Sequence, residues 1–160
     1  MRIRVAFFKG KGSFWNRIVR WWTESPYSHA ELVMPNETTW ISISPFLTSQ
    51  VEAREKKEWD ENLWDFVDFF ISEKEYYEIE DFYEETKGLK YDWIGMVGSQ
   101  LLPFDWKIKN TKKWYCSEWI AHALRAADII PWKKMKIYEK KDITPGALYD
   151  LISSSLDKNL

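Results

Sequence analysis

The chain carries a single cysteine, Cys116, in 160 residues. That excludes an internal disulfide and the multi-cysteine clusters of structural zinc sites, so packing and hydrogen bonding must hold the fold together. It also suits a reducing compartment. The apolar content is sufficient for such a fold: 45% of residues are hydrophobic and 18% aromatic, and a chain of this length buries roughly 70% of its unfolded surface. One domain spanning 1–160 is expected. Eleven tryptophans exceed what that core needs, so some should line a groove or face a partner. With 23 basic and 25 acidic residues the net charge is −2, which gives no pull toward nucleic acid, and no nucleic-acid partner is expected. No apolar run reaches the length of a membrane span and the N-terminus lacks a signal-peptide layout. A cytoplasmic protein without a transmembrane segment is therefore expected.

Cys116 sits in Trp114-Tyr115-Cys116-Ser117-Glu118-Trp119, where a helix begins. Apolar residues follow at Ile120, Ala123, Leu124 and Ala127, and counting back by four puts Cys116 on the same stripe. A thiol there feels unpaired backbone N–H groups and the positive end of the helix dipole, both of which favour thiolate. The alternative is a small buried hydrophobe, a common fate of free cysteine. A nucleophilic cysteine needs a base, and the chain offers two histidines. His122 lies on the same helix, pointing roughly 120° away from Cys116 at about 100° per residue. His29 is left. In Ser28-His29-Ala30-Glu31-Leu32-Val33-Met34, strand alternation places His29, Glu31 and Val33 on one face. Glu31 can then orient His29 and fix its tautomer, unless it is merely an exposed strand carboxylate.

Other segments give the frame. Arg2 to Phe8 alternates as a first strand, and Trp40 to Ser44 returns from the His29 strand through the turn Pro35-Asn36-Glu37-Thr38. A tight hairpin puts Ser42 opposite Glu31 and Ser44 opposite His29. Residues 48–62, with the run Glu52-Ala53-Arg54-Glu55-Lys56-Lys57-Glu58, read as a solvated connection or irregular edge. Trp64 to Ile71 reads as another sheet strand. Ser72-Glu73-Lys74-Glu75 matches a capping box for a helix ending before Gly88, and short helices are expected over 93–102 and 147–154. A basic amphipathic helix over 13–23, bearing Phe14, Trp15, Trp21 and Trp22, either packs on the sheet or touches a membrane or wall surface through residues 14–22. Gly10-Lys11-Gly12-Ser13 lacks phosphate-loop spacing and reads as a turn. No motif calls for a cofactor or a metal.

Three segments, Ser25-Pro26-Tyr27-Ser28-His29-Ala30-Glu31-Leu32, Gly88-Leu89-Lys90-Tyr91-Asp92-Trp93-Ile94-Gly95 and Tyr115-Cys116-Ser117-Glu118, occur in an order that resembles the circularly permuted branch of the NlpC-type cell-wall peptidase superfamily. YiiX-like proteins and lecithin:retinol acyltransferases belong to that branch, and the chain looks most like its small bacteriophage-encoded members. The resemblance implies an α+β, permuted papain-like fold with a central antiparallel sheet packed against helices and the nucleophile at a helix N-terminus. It implies a site in which Tyr91 lines the cleft beside the nucleophile and a polar residue on the strand after His29 orients the base. That last position falls at Ser42 or Ser44, a departure from the His or Glu usual there. Glu31 is the first candidate for the orienting role and Ser42 the second.

The implied activity is a cysteine peptidase or amidase: Cys116 attacks, His29 moves the proton, and the Cys116 backbone N–H with Tyr91 stabilises the oxyanion. The implied substrate is an amide in peptidoglycan stem peptides. Two alternatives belong to other classes. One is a lipid-directed acyl hydrolase or acyltransferase docked through residues 14–22; the other is a non-catalytic binding module, a host or virion component, that retains the cleft.

Overall fold

The computed structural model describes residues 1–10, 17, 20, 25–44, 49–91, 113–136 and 143–156. The helices expected over 13–23 and 93–102 lie outside the described residues, apart from Arg17 and Arg20, which are helical.

Five strands form one antiparallel sheet: β1 (Arg2–Phe8), β2 (His29–Val33), β3 (Thr39–Ser42), β4 (Glu52–Glu55) and β5 (Trp64–Phe70), in the order β4-β3-β2-β1-β5. β1 and β2 are central, with Phe8 opposite His29 and Ala6 opposite Glu31. The β2–β3 hairpin closes through Met34 N–H donating to the Thr39 carbonyl at 2.9 Å. Asn36 makes the turn, its side-chain oxygen accepting from the Thr38 and Thr39 N–H groups, an Asx pattern that suits asparagine. Leu32 faces Ile41 and Val33 faces Trp40, so the register directs Glu31 toward Ser42, as the hairpin spacing predicts. Pairing between β2 and β3 stops there, and the two strands part toward His29.

The stretch expected to be a solvated connection differs from that reading. It supplies β4, an edge strand on β3, with Arg54 opposite Trp40. Both faces of β4 carry polar side chains, so no apolar alternation marks it; the ladder to β3 decides its conformation.

Helix α1 (Glu73–Thr86) starts at the expected capping box: Ser72 accepts from the Glu75 N–H and Glu75 accepts from the Ser72 N–H. Gly88 follows it at φ +80°, a left-handed conformation suited to glycine. Helix α2 (Cys116–Ala126), the short α3 (Trp132–Met135) and α4 (Pro145–Leu156) follow it among the described residues. α4 begins at Pro145 after Thr144, whose hydroxyl accepts from the Ala147 N–H. Proline at the first helical position costs no hydrogen bond. Two short parallel strands, β6 (Lys90–Tyr91) and β7 (Lys113–Trp114), lie just ahead of α2.

Strand alternation divides the core. Ile3, Val5, Phe7, Ala30, Leu32 and Ile41 join one cluster with Ile79 of α1, Trp119, Ile120 and Leu124 of α2, and Leu148 and Ile152 of α4. Ala6, Val33, Trp40 and Trp64 form a second cluster, with Phe8, Trp59 and Phe66 packed against it. The class is α+β, an antiparallel sheet with helices packed against it. Among the described residues no helix is long and apolar enough to cross a membrane.

Candidate active site

Cys116 opens α2. Its N-cap residue, Tyr115, is extended and makes no side-chain cap, so first-turn N–H groups remain open to another acceptor. The sulfur takes that role and accepts from the Ser117 N–H. It also accepts from the Ala30 N–H. That second donor exists because the hairpin ladder has ended. The Met34 N–H points toward β3, and by the strand period so do those of Leu32 and Ala30; Ala30 lies past the last β2–β3 pair, Leu32 with Ile41.

Two residues flank Cys116 and fix it to the chain before α4. The Tyr115 hydroxyl accepts from the Ile143 N–H at 3.1 Å, and the Ser117 hydroxyl donates to the Ile143 carbonyl. Both backbone groups of Ile143 are thus satisfied by the neighbours of Cys116.

His29, the first residue of β2, is hydrogen-bonded to Cys116. Its Nε2 lies 3.2 Å from Glu31 Oε1, which leaves Nδ1 as the nitrogen to share a proton with the sulfur. Cys116 is 6% exposed and Glu31 2% exposed, whereas the His29 side chain keeps 16% of its surface. The electrostatics oppose burial and win. For His29, burial favours the neutral ring, but the Cys116 sulfur and the Glu31 carboxylate push its pKa up to about 10. For Cys116, burial pushes the thiol up, while His29 and the N–H groups of Ala30 and Ser117 bring it below the ordinary thiol value. Both shifts favour an imidazolium–thiolate pair. His29 is the histidine hydrogen-bonded to Cys116.

Glu31 stays ionised despite burial. Burial alone would raise its pKa, but His29, Lys56 and Arg54 hold it below the usual carboxylate value. Arg54 Nη2 sits 3.0 Å from Oε1 and Lys56 Nζ 3.7 Å from Oε2. Neither cation was expected at the site, because the run 52–58 reads as a solvated charge cluster in the sequence. A signal was present in the period: two residues from Arg54 to Lys56 put both on one side of an extended chain.

Ser42 is buried beside Glu31, and its hydroxyl has no hydrogen-bond partner among the described residues. Glu31, then, is the side chain that holds the imidazole. Ser44 is also buried. Tyr91 pairs with Trp114 in the β6–β7 ladder, which brings its backbone next to the residues leading into Cys116; its side chain, and that of Trp114, lie outside the described residues. Among the described residues no three His, Cys, Asp or Glu side chains cluster to hold a metal ion. The arrangement can generate a nucleophile and return a proton to a leaving group.

Comparison with family models, curated proteins and solved structures finds no match for this chain.

Proposed function

We propose that the chain is a thiol-dependent hydrolase that cleaves an amide bond, with Cys116 as nucleophile, His29 as acid and base, and Glu31 as the orienting carboxylate. The observation that carries this reading is the hydrogen-bonded series Cys116, His29, Glu31, in which a buried thiol is held toward thiolate by a half-buried imidazolium. A cysteine serving only as a core residue would need neither partner.

The cycle follows from proton positions. The Cys116 thiolate attacks the amide carbon, and the C=O electron pair moves onto oxygen. As the tetrahedral intermediate collapses, the imidazolium of His29 gives its proton to the departing nitrogen, leaving a thioester on Cys116 and neutral His29. His29 then takes a proton from water as it attacks the thioester, the carboxylic acid departs, and the imidazolium–thiolate pair is restored. Glu31 accepts from Nε2–H throughout and holds the ring in the tautomer that presents Nδ1. The Cys116 backbone N–H and Tyr91 are the proposed oxyanion donors.

The order of the His29, Tyr91 and Cys116 motifs supports a permuted papain-like domain of the NlpC type within the α+β class, and peptidoglycan stem peptides as substrate. The test uses muropeptides incubated with wild type, Cys116→Ala and His29→Ala, with products read by mass spectrometry. Peptide products that vanish in both variants are expected. Absence of any Cys116-dependent product from muropeptide and lipid substrates alike would sink the hydrolase reading, and fatty-acid release would redirect it to lipids.

A further inference from the structure

Glu31 is an unusual orienting group: it lies on the same strand as the base it holds and is almost completely buried. A carboxylate in that position protonates unless fixed charges oppose it. On β2, His29 donates to Oε1. On β1, Ala6 stands opposite and brings no charge; Arg4, two residues away, is engaged by Asp68 of β5 at 2.8 Å. On β3, Ser42 is neutral. Among the described residues, β4 and the residue after it bring the positive charge, Arg54 to Oε1 and Lys56 to Oε2. From α2, Cys116 acts through His29.

Resting on the cysteine-hydrolase reading, we infer that Arg54 and Lys56 are positioning residues of the site, which clamp Glu31, Arg54 by a hydrogen bond to Oε1 and Lys56 by its charge 3.7 Å from the otherwise unbonded Oε2, and keep it an anion so that it can hold the His29 imidazolium. Arg54 shares Oε1 with His29, so it sets the carboxylate rotamer as well as its charge. Lys56 is itself fixed: its ammonium stands 4.0 Å from the Trp40 ring centre and 4.1 Å from that of Trp64. Those rings tie the second aromatic cluster to the site. An edge strand without catalytic groups thereby becomes part of the catalytic apparatus.

Without the clamp Glu31 protonates at a higher pH. Over that window it no longer balances the imidazolium, His29 loses its proton more readily, and Cys116 returns to thiol. The acid limb of thiolate reactivity must then move to higher pH.

The experiment measures iodoacetamide alkylation of Cys116 against pH in the full chain for wild type, Arg54→Met, Arg54→Lys and Lys56→Met. Arg54→Met and Lys56→Met should each raise the acid midpoint by about one pH unit, and Arg54→Lys should restore most of the wild-type position. Should Arg54→Met fail to fold, Lys56→Met, which keeps the alkyl stem over the two rings, reads the same limb. Midpoints that superpose on wild type, or that move down because a repelling cation has been removed, would overturn the clamp while leaving Cys116 and His29 as a working pair. A wild-type midpoint at the ordinary thiol value, about 8.5, would instead overturn the hydrolase reading and the clamp with it.

Discussion

At the scale of single residues, Cys116, His29 and Glu31 form one hydrogen-bonded series in which each group shifts the next. The thiol is held below its ordinary value and His29 is pushed up to about 10. Turnover should therefore rise through the first value and fall as pH passes through the second, when His29 loses the proton that the leaving nitrogen needs. A rate profile with its alkaline limb near that of free imidazole, about 6.5, would show that the pair does not exist. Glu31→Gln keeps the shape and removes the charge, and loss of an orienting acid can cost up to about 10⁴-fold in kcat. Stability should follow the same carboxylate. Glu31 is depressed below 4.5, so its contribution is present above that pH and is lost as pH falls through the folded value. The thermal midpoint of wild type should drop below about pH 4.5 more steeply than that of Glu31→Gln. Parallel curves would mean that Glu31 is not ionised in the folded protein. His29 and Cys116 were legible in the sequence because helix and strand periods place them and arithmetic removes His122. Arg54 and Lys56 were not, because a run of alternating charges looks the same whether one side of it is wet or faces a buried acid.

At the scale of elements, what matters is where secondary structure stops. The early end of the β2–β3 ladder opens the gap in which the Ala30 N–H meets the sulfur. The uncapped start of α2 supplies the Ser117 N–H. Sequence patterns announce element starts well when a side chain does the capping, and Ser72 with Glu75 is such a case. They announce them poorly when tertiary contacts do it. The Tyr115 and Ser117 hydroxyls bind both backbone groups of Ile143, far along the chain, and no local pattern encodes that. Their removal gives an element-scale prediction. Ser117→Ala leaves a buried carbonyl without its donor and should lower the unfolding free energy by about 1–3 kcal/mol. It should also reduce kcat more than it raises KM, since the first turn of α2 loses its anchor while no substrate contact is removed. Denaturant unfolding and steady-state kinetics on the same preparation check both parts, and an unchanged kcat would show that Ile143 anchors α4 alone.

At the scale of the whole molecule, the two apolar clusters lie on opposite faces of strands they share. Val5 and Phe7 enter the cluster with the helices, while Ala6 between them enters the cluster of Trp40 and Trp64. Leu32 and Val33 divide in the same way on β2. Neither face can come apart without disturbing the backbone of the other, and the His29 strand stands between them. Cooperative unfolding of both faces follows from that shared backbone. Leu124→Ala, in the helix-side cluster, should cost about 2–5 kcal/mol, and Trp40→Ala, in the other, about 3–5 kcal/mol. Each should shift one transition rather than split it. Far-UV circular dichroism and tryptophan emission, followed in denaturant for both variants, should therefore give coincident curves, displaced from wild type by these amounts. If emission in Trp40→Ala moved to lower denaturant while the helical signal of α2 held its wild-type midpoint, the faces would be separate units. Lys56 would then sit on a part of the molecule that melts first, and reactivity of Cys116 would fade before the helices unfold. Coincident curves, with thiol reactivity lost at the same midpoint, are the outcome that shared strands require.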